Sequence, residues 1–217
     1  MLGSLPYASF LSFSPRGTAA VSLDSKRICY AVKQDGQDRS GGGPVIEAIV
    51  AVLARDHQAA FADFLGPDVV LVPTPKSAPL PSRGGGPVLW VPRRISEALV
   101  AAGLGASVAP CVERVTAVAK SASAGPGQRP TIAKHIESMQ VLIQAPAERI
   151  TLIDDVVTRG ATLFAAASLL ASTFPLADVR AFALIRTRGL QADIERVVDP
   201  TVGTITRNRW GDANRDP

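Results

Sequence analysis

The stretch Ile150-Thr151-Leu152-Ile153-Asp154-Asp155-Val156-Val157-Thr158-Arg159-Gly160-Ala161-Thr162 constrains this chain more than any other part of it. Its first four residues form an apolar run of strand length. Two adjacent acids follow, then a Thr/Gly/Thr turn. Ala161 to Phe174 is Ala-rich and apolar and predicts a helix, and Val179 to Ile185 predicts a further strand. Strand, turn, helix and strand make a βαβ unit, whose crossover brings the second strand in parallel to the first. The expected fold is therefore α/β, with a mostly parallel sheet flanked by helices and ligands binding beyond the carboxyl ends of the strands.

Composition agrees with a sheet of that kind. Of 217 residues, 47% are hydrophobic, 19% charged and only 5% aromatic, which suits buried aliphatic strands covered by Ala-rich helices around one main core. No apolar run reaches the roughly 18 to 20 residues that span a bilayer, and Met1 to Phe13 has no basic region leading into an apolar stretch. No membrane partner and a cytoplasmic location are expected. Cys29 and Cys111 stand far apart without a CxxC pattern, so both read as buried small hydrophobes. The net charge of +4, from 23 basic and 19 acidic residues, mildly favours anionic ligands and lacks the Lys/Arg cluster of a nucleic-acid footprint.

Residues 1–43 read as an N-terminal extension, 44–190 as the core and 191–217 as a C-terminal extension, the two ends forming an irregular hood. Within them Arg27 to Val32 alternates enough for a short strand. Pro44 then opens a helix expected to run to about residue 65, and Gly66-Pro67 ends it. Val69 to Val72 reads as a buried strand leading into Pro73-Thr74-Pro75-Lys76-Ser77. Pro79 to Pro92, with Gly84 to Gly86 and Trp90, reads as a long loop. A second helix is expected from Pro92 to Gly103, and strands at Ser107 to Val112 and Gln140 to Ile143. Lys120 to Lys134 reads as a mobile basic loop.

The junction itself suggests chemistry. N–H groups at a helix start are unsatisfied and the macrodipole is positive there, so the turn from Thr158 to Thr162 can hold a phosphate, with both threonine hydroxyls as added donors. The acids one step away suit the neutral hydroxyls of a sugar. A ribose 5-phosphate has that polarity. The competing reading is a solvated Asp-Asp turn capping an ordinary helix.

These 13 residues resemble the PRPP (5-phosphoribosyl-1-pyrophosphate) motif of type I phosphoribosyltransferases, in style nearest to the competence-associated ComF type. The resemblance implies that Asp154 and Asp155 hold ribose hydroxyls and that Thr158, Arg159, Gly160, Ala161 and Thr162 wrap the 5-phosphate. It also implies a pyrophosphate loop at Thr74, Lys76 and Ser77, and a flexible catalytic loop with Lys120, Arg129 and Lys134 as candidate cations. Mg2+ would be carried by the substrate, with no metal cage in the protein. The chain lacks the Cys-rich ribbon with which ComF relatives often begin. It also has Thr158 where purine-salvage relatives place an acid, which weakens a 6-oxopurine acceptor.

The activity so implied is transfer of ribose 5-phosphate to a nitrogen acceptor with release of pyrophosphate. The alternatives are a non-catalytic PRPP or nucleotide sensor, which could serve DNA uptake, and a direct nucleic-acid binder. His57 and His135 have no partner at metal-ligand spacing and read as surface or helix-face residues, and Trp90 and Trp210 as packing residues. The three-glycine run lacks the Gly-Lys-Ser/Thr of a Walker loop. Neither the acceptor nor the oligomeric state is legible.

Overall fold

The structure, a computed structural model, describes residues 2–36, 44–80, 88–119, 130–142, 148–189 and 191–217. The elements in chain order are β1 (Ser4–Phe13), α1 (Ala20–Lys33), α2 (Val45–Val52), β2 (Val70–Pro73), α3 (Val91–Ala101), β3 (Ser107–Val108) and β4 (Val112–Arg114). After them come α4 (Ile132–Glu137), β5 (Met139–Val141), β6 (Arg149–Val157), α5 (Ala161–Thr173), β7 (Asp178–Thr187), β8 (Val198–Arg207) and β9 (Ala213–Asp216). Among the described residues seven strands form one sheet in the order β3-β2-β6-β7-β1-β8-β9, and β4 and β5 form a separate pair. β3, β2, β6, β7 and β1 run parallel, while β8 and β9 are antiparallel additions. The expected α/β class, a mostly parallel sheet flanked by helices, is what the chain adopts.

Two cores explain the layering. On one face Cys29 and Val32 of α1, Ile46 and Val50 of α2, and Ile95 and Leu99 of α3 pack against Phe10, Ile153, Phe182 and Leu184. On the other, α5 lies over Leu5, Tyr7, Leu152, Ala181 and Ala183, with Val112, Ile132 and Met139 of the β4–α4–β5 unit beside it. Alternate residues of β6 and β7 point to opposite faces and both are covered, which is why these strands read as continuous apolar runs.

The chain leaves β2 for β3 on one side and β6 for β7 on the other, while β2 and β6 are direct neighbours. The crevice beyond their carboxyl ends is a topological switch point, the place where sheets of this type open a ligand cleft.

Both ends of the chain depart from expectation. The N-terminal stretch is a ten-residue strand between β7 and β8, and residues 198–216 supply β8 and β9, so regular strands stand where an irregular hood was expected. β1 is almost wholly buried, so the serines and the proline within it masked a strand that shows no alternation. Arg27 to Val32 lies inside α1 and is not a strand. The buried stripe there is Ser22, Ser25, Cys29 and Val32, at helical spacing but partly polar.

The helix expected to about residue 65 is an α-helix only to Val52, continues as a π-helical turn over Leu53–His57 and as a 3-10 turn over Gln58–Phe61, and stops there. The strand expected at 107–112 is split between the two sheets around Pro110. Met139–Val141 pairs with β4, and Ile143 lies outside the described residues. Lys134 belongs to α4, whose Thr131 N-cap accepts a bond from the Lys134 N–H at 3.3 Å. Most of the expected basic loop, 120–129, and Gly84 to Gly86 lie outside the described residues.

Candidate functional site

β6 carries Asp154 and Asp155 at its carboxyl end, and the turn after it opens α5. Gly160, the N-cap, adopts φ +88°, a left-handed conformation that costs other residues energy, and a Cβ built there would sit 2.5 Å from Ile205 Cδ1. Glycine is thus required for both backbone and space. The amides of the first turn of α5 begin beyond it. Thr158, Arg159, Gly160, Ala161 and Thr162 line a small cavity of about 90 Å³ together with Asp212 and Ala213.

Beside this cavity lies a larger cleft of about 610 Å³, within the range of small-molecule sites. Asp154, Asp155, Thr158 and Thr162 line it together with Thr74, Lys76 and Ser77. The two loops singled out in the sequence, 80 residues apart at Thr74 and Asp154, therefore face one space. Phe13 of β1, Lys33 of α1 with its C-cap Gln34, and Thr187 of β7 line it too.

The acids are not equivalent. Asp154 Oδ1 accepts hydrogen bonds from Thr74 Oγ1 at 2.9 Å and from the Asp155 N–H at 3.0 Å. Burial, and next the neighbouring Asp155, push the Asp154 carboxyl well above the usual carboxylate range. Asp155 Oδ1 accepts from the Val156 N–H at 2.8 Å. The Thr74 hydroxyl, expected to meet a pyrophosphate, is engaged with Asp154.

The loop at 74–77 is anchored from outside. Its carbonyls accept from Trp90 Nε1 (Thr74, 2.7 Å), Arg114 Nε (Lys76, 3.0 Å) and the Val118 N–H (Ser77, 2.8 Å). The Lys76 ammonium reaches the Leu89 carbonyl at 2.7 Å on the exposed rim. Of the cations expected on a flexible loop, Lys134 is exposed on α4, and Lys120 and Arg129 lie outside the described residues.

Two residues that line this cleft stand apart from the sequence reading: Arg114 was not singled out, and His135, read as a surface or helix-face residue, is buried. Arg114 is 5% exposed and His135 2% exposed. Arg114 Nη1 donates to Ser138 Oγ at 2.5 Å and stands 3.4 Å from His135 Nδ1. His135 Nε2 in turn stands 3.5 Å from Thr162 Oγ1. Burial lowers the Arg114 pKa to about 10, and burial followed by the Arg114 charge lowers that of His135 to about 4, so His135 is neutral near pH 7. Nothing in the local pattern Val112-Glu113-Arg114-Val115, which does not alternate, marked Arg114 as buried. For His135 the only signal was a position on the inner face of a short helix, which an isolated histidine does not distinguish from packing.

Among the described residues no group of three or more His, Cys, Asp or Glu could hold a metal, and no helix is long and apolar enough to cross a membrane. No family model and no curated protein matches the chain. Among solved structures it is similar to a hypoxanthine phosphoribosyltransferase from Staphylococcus aureus, at 15% identity and a TM-score of 0.33, over 70% of this chain and 69% of that one. A likeness this faint says nothing of activity.

Proposed function

We propose that the chain binds PRPP in the 610 Å³ cleft and transfers its 5-phosphoribosyl group to a nitrogen nucleophile, releasing pyrophosphate. The observation that carries this reading is the meeting of three things at the switch point. A helix-opening turn rich in donors lies on one side, an anchored loop with a lysine and a serine on the other, and two carboxylates sit between them. That order of donor, acceptor and donor along one cleft suits a molecule that is phosphate, sugar and diphosphate in sequence.

In this reading Asp154 and Asp155 accept hydrogen bonds from the ribose hydroxyls, while Thr158 to Thr162 donate to the 5-phosphate. The loop at Lys76 and Ser77 receives the diphosphate. The nitrogen lone pair attacks the anomeric carbon as the bond to the diphosphate oxygen breaks. The diphosphate leaves with that electron pair, and the nitrogen gives its proton to solvent. The protein contributes orientation and fixed dipoles. Two adjacent carboxylates beside substrate oxygens fit a magnesium ion that keeps most of its shell from substrate and water, and such an ion would screen the charge of the departing diphosphate.

The test is a pyrophosphate-release assay with PRPP, magnesium and a panel of nitrogen bases, run beside thermal melting. PRPP should raise the melting temperature, as any ligand selective for the native state does, and one base should support turnover. Unchanged melting at millimolar PRPP would end the reading. Binding with no turnover on any base would make the cleft a PRPP sensor.

A further inference from the structure

We infer that one buried residue, Arg114, poses both loops of the cleft, and that His135 carries its influence to the 5-phosphate turn by setting the direction of the Thr162 hydroxyl. The inference rests on the PRPP reading for the identity of the ligand, but its geometry is independent of that reading.

Arg114 has an unusual set of partners for a guanidinium that is 5% exposed. Among the described residues they are all neutral: the Lys76 carbonyl, Ser138 Oγ and His135 Nδ1. A buried cation without a carboxylate is costly, and this one faces a cleft between two anion-suited loops. On one side its Nε fixes the peptide after Lys76. On the other it decides where the imidazole proton resides.

A guanidinium only donates, so the His135 Nδ1 facing it at 3.4 Å must present a lone pair, and the ring proton then resides on Nε2. Nε2 faces Thr162 Oγ1 at 3.5 Å. Thr162 accepts there, which leaves its own hydroxyl hydrogen to point into the cleft that Thr162 lines. The opposite tautomer would present an acceptor at Nε2 and turn the Thr162 hydroxyl away from the ligand. At 2% exposure His135 has no bulk water to blur this choice. Arg114 is thereby a positioning residue for the loop at 74–77, and Arg114 with His135 for the turn at 158–162.

Two measurements test this. The chain has two histidines, so ring nitrogen-15 signals of the intact protein can be assigned by comparison with a His135→Gln variant. The expected result is a neutral His135 protonated on Nε2. A population protonated on Nδ1 overturns the inference whatever the ligand.

Titration calorimetry with inorganic pyrophosphate and, separately, ribose 5-phosphate provides the second arm. His135→Leu should weaken ribose 5-phosphate about tenfold and pyrophosphate less than about twofold, while His135→Gln, which keeps a donor toward Thr162, should stay within about threefold of wild type for both. Arg114→Met should weaken both ligands, by about tenfold or more for pyrophosphate. If circular dichroism shows that Arg114→Met does not fold, Arg114→Lys takes its place, with about threefold losses expected because an ammonium cannot reach both Lys76 and Ser138. Equal losses of both ligands in His135→Leu, or unchanged pyrophosphate affinity in the Arg114 variant, overturn the inference. Absence of ribose 5-phosphate binding in wild type marks failure of the PRPP reading and removes the ligand role with it, a result distinct from wild-type binding that the variants share.

Discussion

The turn at Thr158 to Thr162 and the loop at Thr74 to Ser77 face the same cleft but are built by opposite means. The turn is contiguous, and its shape comes from one left-handed glycine and the start of α5. The loop owes its position to donors brought from a distance: Trp90 is 16 residues away from the carbonyl it holds and Arg114 is 38. The backbone of the turn keeps its shape when remote side chains are lost, and only its Thr162 hydroxyl leans on one, His135. A loop held by remote side chains does not keep its shape without them, and it can be adjusted through them.

The largest effect is expected where the two regions meet. Asp154→Asn combined with Asp155→Asn should weaken PRPP by at least about 100-fold, on the order of 2.7 kcal/mol, with the circular dichroism spectrum unchanged. The same pair should not lower the melting temperature. A carboxyl whose pKa is raised by folding costs stability above the unfolded pKa, and Asp154 is such a group. A large fall in melting temperature would show that the acids hold the sheet and are not a ligand platform.

Gly160→Ala should damage the contiguous turn alone. Strain at the left-handed position and the clash with Ile205 should cost about 1–3 kcal/mol, read from denaturant unfolding, with phosphate-end affinity lost before pyrophosphate affinity. Equal loss at both ends would mean that the two regions do not form separately.

The buried pair behind both regions has a pH signature. His135 is held at about 4 in the folded chain against 6.5 for an unperturbed histidine, so the unfolded chain takes up this proton first as pH falls. Its contribution is complete above pH 6.5 and is lost as pH falls toward 4, with a slope of up to about 1.4 kcal/mol per pH unit. Urea unfolding from pH 7 to 4 should be flatter by that component in His135→Gln. Identical profiles would remove His135 from the buried network. The smallest expected effect is Trp90→Phe, which deletes one hydrogen bond to the Thr74 carbonyl and should cost about 1 kcal/mol, with pyrophosphate binding weakened more than ribose 5-phosphate. A reversed order would show that Trp90 does not anchor this loop.

The β6–α5 junction was legible because everything it needs is local. A strand, two acids, a glycine and a helix start lie within 13 residues, and period and turn chemistry report such segments directly. The α/β class followed from the same stretch. β1 and α1 were not legible, because burial on both faces removed the alternation from β1, and α1 turns a half-polar stripe of Ser22 and Ser25 toward the core.

The sequence by itself determined that a donor-lined turn follows two acids at a strand end, since backbone geometry within one turn depends on neighbours in the chain. Only the tertiary structure decided that Thr74 bonds Asp154 and that the chain ends complete the sheet. It likewise decided that Arg114 and His135 stand behind the cleft. Their roles come from burial and from partners 21 to 38 residues away, and those depend on how the layers pack, which no local pattern records.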